Sequence, residues 1–197
     1  MRLMHVAGRV TVCMVMLSAL LVSAGCATCC RTGTSTAAAP LPNLHQVDAG
    51  LYRGGQPTAE GFRRLADLGV KTIVSLRAYG RAARHEHTER RLVESLGMRW
   101  VSLPMRMYWR PSDEQVRTFL SLTQAGADGP VFVHCQHGED RTGSLIAVYR
   151  VFRQGWTPAQ AYAEALKLGM AAWNPFTRNL IRSTEPAAPG PVASAPH

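Results

Sequence analysis

Cys135 and Arg141 are the two residues around which a reaction can be built. Both lie in the stretch VFVHCQHGEDRTG, residues 131–143 of a chain of 197. A short apolar run, Val131-Phe132-Val133, leads into His134 and Cys135. Arg141, Thr142 and Gly143 follow, and a second apolar segment, LIAVYRVF, begins at Leu145. This pattern reads as a buried strand, a tight loop and the first turn of a buried helix. A helix N-terminus presents unpaired N–H groups and a partial positive charge. Both stabilise a thiolate, and both hold a phosphate dianion. Arg141 adds a planar fork that matches two phosphate oxygens. Nucleophile and anion cradle thus share one loop. The chemistry they imply is attack of sulfur on a phosphate ester through a cysteinyl-phosphate intermediate. Gln136, His137, Gly138, Glu139 and Gly143 are expected to line the phosphate, and Arg77, at the end of an upstream strand, is placed to reach the same anion.

HCQHGEDRTG resembles the His-Cys-x5-Arg-Thr signature of the protein tyrosine and dual-specificity phosphatases, with Cys135, Gly138, Arg141 and Thr142 on its key positions. The upstream stretch LYRGGQPTAEGFRRLADLGVKTIVSLR also looks like the opening of small bacterial and atypical dual-specificity phosphatases, so the likeness covers residues 44–176. It implies that Cys135 is the nucleophile, that His134 orients the loop and helps lower the cysteine pKa, and that Arg141 binds phosphate. It also implies that Thr142 serves in hydrolysing the intermediate. A general acid must protonate the leaving oxygen. Most of the family supplies an Asp from a separate upstream loop, but residues 103–108 contain neither Asp nor Glu. The Gly-x-Asp-Arg ending here resembles the loops of myotubularin lipid phosphatases and of a secreted mycobacterial tyrosine phosphatase, which makes Asp140 the expected acid. Asp113, in the first turn of a helix, is the alternative. Glu139 stands where lipid-directed relatives often carry Lys. Two other readings remain open: a rhodanese-like sulfurtransferase, and an envelope protein that binds phosphate groups without turnover.

Those residues need a scaffold, and the chain is long enough for one domain with a proper core. Apolar residues make up 46%, ordinary for a globular protein. The formal charge of +9 favours anionic partners such as phosphate esters or anionic lipid. Its basic residues are scattered, without a zinc finger or a basic helical stripe, so no specific nucleic-acid partner is expected. Of the five cysteines, Cys13, Cys26, Cys29 and Cys30 precede the domain and only Cys135 lies within it, which excludes a disulfide framework. No metal-ligand spacing is present, and no cofactor is called for.

Taken in order, residues 1–25 read as a secretory signal, with Arg2 and Arg9, an apolar run over 10–22 and then Ser23-Ala24-Gly25 before Cys26. This resembles a bacterial lipoprotein signal in which Cys26 becomes lipid-modified. Cleavage by ordinary signal peptidase and an uncut anchor are the alternatives. All three place the domain outside the cytoplasm, in the cell envelope, and the first ties it to a membrane. Residues 26–43 are expected to form a flexible tether, 44–183 the catalytic domain and 184–197 a disordered tail. Within the domain, the pattern predicts a strand or hairpin over 47–53, a helix over 58–68 and a strand over 70–76. A basic loop over 78–84 and a helix over 86–96 follow, the latter with Leu92, Val93 and Leu96 inward and its charges outward. A strand over 99–103 leads to the loop at 104–111, where Arg106, Tyr108 and Trp109 either border the substrate or pack. Ser112 and Gln115 form a capping box before the next helix, as do Thr157 and Gln160 later. A buried helix is expected over 142–154, ended by Gly155, and a short last helix over 175–181. Strands interleaved with helices predict an α/β domain whose central, mainly parallel sheet is flanked by helices, which is also what the resemblance implies.

Overall fold

In the computed structural model, residues 39–77, 83–106, 109, 111–124, 128–173, 179 and 181 are described. The expected signal peptide, most of the tether, the expected last helix apart from Asn179 and Ile181, and the tail lie outside the described residues. Strands β1 (His45–Asp48), β2 (Leu51–Gly54), β3 (Thr72–Ser75), β4 (Arg99–Ser102) and β5 (Val131–His134) alternate with helices α1 (Ala59–Asp67), α2 (Ala83–Ser95) and α3 (Asp113–Leu122), and α4 (Asp140–Gln154) and α5 (Pro158–Lys167) close the series. They form one five-stranded sheet in the order β1-β2-β5-β3-β4. Only the β1–β2 hairpin is antiparallel; β2, β5, β3 and β4 run parallel.

The period-two alternation of strand side chains sorts the core into two layers. Leu51, Val74, Val131 and Val133 face one side, where Phe119 of α3 and Leu145, Ile146 and Tyr149 of α4 cover them. Tyr52, Ile73 and Phe132 face the other, against Phe62 and Leu65 of α1 and Val93 of α2. α4 is buried nearly all round because α5 packs on its outer side through Ala161 and Ala165. Both capping boxes form, and Gly155 ends α4 at φ 67°.

Three boundaries differ from expectation. The domain starts before residue 44: the Pro40 and Pro42 carbonyls accept from Thr58 and Gly55 N–H, and Leu41 packs on the α1–α2 core. α2 begins at Ala83, taking in part of the expected basic loop. α4 begins at Asp140, so Asp140 and Arg141 are helical rather than part of the preceding loop.

Candidate active site

β5 is the central strand of the parallel array, and its C-terminal end delivers the loop 135–139 to the start of α4. Alternation along β5 decides which way each side chain goes. Val131 and Val133 point toward α3 and α4, while Phe132 and His134 point toward α1 and α2. Cys135, one step beyond, returns to the α4 side and is 3% exposed.

The loop keeps its carbonyls outside. The Gln136 carbonyl accepts from Gln56 N–H at 3.0 Å, and the His137 carbonyl from Asn43 Nδ2 at 3.4 Å. The Gly138 carbonyl accepts from Arg53 Nη2 at 2.5 Å and from Asn43 Nδ2 at 3.3 Å. In a trans peptide the C=O and the next N–H point in opposite directions. Each outward carbonyl therefore turns the following N–H inward. The Gly138 N–H bears this out, donating to Cys135 Sγ at 3.2 Å. Gly138 holds this turn at φ +79°, and a Cβ there would lie 2.5 Å from the Gly54 carbonyl carbon. A Cβ on Gly55 would meet the His137 backbone at 3.0 Å. The Gly54-Gly55 pair thus does more than end β2: it lets a second backbone lie against the loop.

The thiol is held below its ordinary range. Burial pushes it up, but the Thr142 hydroxyl, the Arg141 charge and the Thr142 and Gly138 N–H groups outweigh that. The Thr142 hydroxyl is fully buried, with no conventional hydrogen-bond partner besides the sulfur it faces. Arg141 is fixed by donating Nη1 to the Leu76 carbonyl at 3.2 Å.

Beneath the loop, His134 is fully buried and donates Nε2–H to Glu89 Oε1 at 3.1 Å. Glu89 also accepts from Trp100 Nε1 at 3.0 Å and Gln56 Nε2 at 2.7 Å. Burial raises its carboxyl pKa, but the bond and charge of His134 and the bonds from Trp100 and Gln56 bring it down to about 2. Gln56 Oε1 in turn accepts from Arg77. Burial lowers the Arg77 pKa, against the Glu89 charge, and Arg141 and Cys135 are also close enough to act on it. Beside this chain a groove of about 360 Å³ is lined by Gln56, Pro57, Phe62, Arg77, His85 and Thr88.

The expected site residues thus mostly converge, with three qualifications. Gly143 donates its N–H to the Glu139 carbonyl and packs near Ala165 and Met170, so it has no free donor for phosphate. The Glu139 side chain leans on Gly169, leaving its backbone as its part of the loop. Asp140 Oδ1 accepts from Ala171 N–H at 2.9 Å, which ties that carboxylate to the segment after α5 and leaves Oδ2 for a second partner. Gln136 and His137 are exposed on the loop. Asp113 sits exposed at the start of α3. The Arg106 guanidinium lies 5.4 Å over the Trp109 ring, while Tyr108 is outside the described residues. Sequence reasoning misses Glu89, Gln56, Asn43 and Arg53. The expectation that all charges of α2 face outward fails at Glu89. It faces inward because it shares the helical face of Leu92, Val93 and Leu96.

A cysteine and an arginine at this spacing, set between a central parallel strand and a helix, define a class: the cysteine-dependent phosphatases. Residues 35–177 match the family described as DSP-PTPase phosphatase fused to NAD+ kinase. The chain belongs to this DSP-PTPase family, which sets the sulfurtransferase reading aside. It is 35% identical over 131 residues to the dual specificity protein phosphatase TpbA of Pseudomonas aeruginosa, covering 66% of this chain and 56% of the relative. The crystal structure of TpbA in complex with pTyr superposes with a TM-score of 0.60 at 30% identity, over 72% of this chain and 83% of that one. An inositol diphosphatase of Arabidopsis thaliana is 28% identical over 138 residues, 67% of this chain and 66% of the relative. The chain spans about half the length of the curated relatives it matches first.

Proposed function

We propose that the chain is a phosphomonoesterase working through Cys135. The thiolate attacks phosphorus, the ester oxygen leaves with a proton from Asp140, and Arg141 holds the equatorial oxygens. Water then breaks the sulfur–phosphorus bond, with Thr142 returning its hydrogen bond to the departing thiolate. The observation that carries this reading is the inward Gly138 N–H at 3.2 Å from Sγ, with the thiol held low and Arg141 anchored beside it. The substrate is a phosphorylated protein side chain or an inositol or lipid phosphate. TpbA bound to pTyr supports the first, and the likeness to an inositol diphosphatase supports the second. Arg77, near enough to Arg141 and Cys135 to feel their charges, lines the adjacent groove and is the proposed contact for either.

The test is hydrolysis of aryl phosphates, phosphopeptides and inositol phosphates in chelator. Activity that vanishes in Cys135→Ser and is blocked by vanadate supports the proposal. Undiminished turnover in Cys135→Ser, or phosphate binding without any turnover, overturns it.

Export and tethering to the envelope membrane through Cys26 belong to the same proposal. They rest on the basic start, the apolar run and the small residues before Cys26. Mass spectrometry of the mature N-terminus is the check, with a lipid-modified Cys26 expected and an unmodified or intact leader counting against it.

A further inference from the structure

Arg53 occupies an inward position on β2, one alternation step from Leu51, and is 1% exposed. Among the described residues its guanidinium makes one hydrogen bond, Nη2 to the Gly138 carbonyl, while Nε and Nη1 are buried with no partner there. No carboxylate is paired with it among the described residues. An unpaired buried charge with orphaned donors is expensive, and an apolar side chain of similar volume would serve packing better. Its cost has to be offset by something other than stability.

Its one partner indicates what. Gly138 is the residue whose N–H meets the sulfur, and its carbonyl belongs to the peptide that carries the Glu139 N–H. Pulling that carbonyl down points the Glu139 N–H up into the cradle. We infer that Arg53 is a positioning residue of this site: it clamps the Gly138 peptide from beneath, aims the next N–H at the anion, and gives the thiolate a second fixed positive charge besides Arg141. Burial brings the guanidinium down to about 10, with Glu164 and Cys135 acting the other way, so it remains charged at neutral pH. The charges around the sulfur are then Arg141 from α4, Arg53 from β2, Arg77 from the end of β3, and the His134–Glu89 pair joining β5 to α2. Among these, Arg53 is the one whose guanidinium nitrogens are buried without a partner.

The inference rests on Cys135 acting as a thiolate, and its test needs no phosphate ester. Alkylation of Cys135 by iodoacetamide is followed against pH on the full chain, by mass spectrometry of the Cys135 peptide, with melting temperature as the control for folding. In Arg53→Met the midpoint of the alkylation profile moves to higher pH, and kcat/KM for an aryl phosphate falls about 10- to 100-fold, the size of a lost charged hydrogen bond. Arg53→Lys keeps the charge and returns the midpoint toward wild type. If the Met variant does not fold, Arg53→Gln takes its place, because it still offers a donor but no charge. An unchanged midpoint in whichever neutral variant folds overturns the inference, as does a Lys variant displaced as far as the neutral one. A wild-type chain without phosphatase activity whose Cys135 midpoint still follows the charge at residue 53 sinks the proposed function and leaves this inference standing.

Discussion

Two buried arginines sit on the same side of the sheet and are treated in opposite ways. Arg150, on α4, is fully engaged. Nε and Nη2 donate to Glu164 at 2.9 and 2.6 Å, Nη1 donates to the Val47 carbonyl at 3.1 Å and Gln154 at 2.5 Å, and the guanidinium lies 4.5 Å over the Trp156 ring. It joins α4 to α5 and to the β1 edge, where Tyr149 and Gln154 also bond Asp48. Arg53, among the described residues, has one bond and two orphans. A satisfied buried charge is what a structural tie looks like. A starved one next to a nucleophile is what remains when the complementary charge arrives with the reaction. The two networks thus divide the work: the Arg150 network holds elements together, and the loop network holds a loop in one conformation for an anion.

The division predicts that changes at the loop act on rate and changes at Arg150 act on stability. The largest expected effect is Cys135→Ser, which removes the nucleophile and is expected to cost about 10⁴-fold or more in kcat with little change in melting temperature. Steady-state hydrolysis and a thermal melt on the same sample check both halves. Loss of activity accompanied by unfolding would erase the distinction.

Next comes the proton donor. Asp140→Asn is expected to slow esters with poor leaving groups by about 10²–10³-fold and to affect aryl phosphates with good ones much less, since these need no proton. A leaving-group series for Asp140→Asn and Asp113→Asn decides between the two. The pattern appearing in Asp113→Asn alone reassigns the acid, and leaves the Asp140–Ala171 bond as a purely structural contact.

A smaller free energy is at stake in the arginines themselves. Arg150→Met strands Glu164 and is expected to lower stability by about 2–3 kcal/mol. The figure falls below that of a fully buried pair because the two side chains are 11% and 20% exposed. Its kcat should match wild type. Arg53→Met, though at a more buried position, should cost less stability than Arg150→Met, because no partner charge is stranded and two orphaned donors disappear. Urea unfolding of both variants makes the comparison. A larger loss for Arg53→Met would mean that it, too, is mainly a structural tie.

How far these two networks are legible in the sequence depends on which physical signal each residue carries. The sheet, most helices and both capping boxes follow from periodicity and local side-chain chemistry, which need only neighbours in sequence. Cys135, Arg141 and Thr142 are legible because strand, loop and helix start are contiguous. Arg53, Gln56 and Glu89 reach the loop from β2, from the turn after it and from α2, and nothing local announces that meeting. Two signals are nonetheless present. Glu89 lies at helical spacing with Leu92, Val93 and Leu96, a charge on an apolar stripe. Arg53 alternates with the buried Leu51, a charge in an inward strand position. A charge that breaks an apolar pattern is evidence of a buried partner. The same rule brings Glu89 under the loop to meet His134.

That pairing supplies the effect with a defined pH window. The Glu89 carboxyl is brought from the ordinary 4.5 down to about 2 in the folded protein. A depressed carboxyl favours folding above the unfolded value, and that contribution is lost as protons bind in the native state. The stabilisation is therefore complete above about pH 4.5 and fades as pH falls toward about 2. Glu89→Gln keeps the shape and an acceptor for His134 but cannot titrate. Its melting temperature should lie below wild type at neutral pH, and the two curves should converge across that acidic window. The same variant should lower kcat only modestly, since His134 keeps a hydrogen-bond acceptor and loses only the carboxylate charge beside it. A gap in melting temperature that stays constant down to the acid end would mean that Glu89 contributes by filling space, and the loop network would then owe its order to Gln56 and Asn43 rather than to a buried carboxylate.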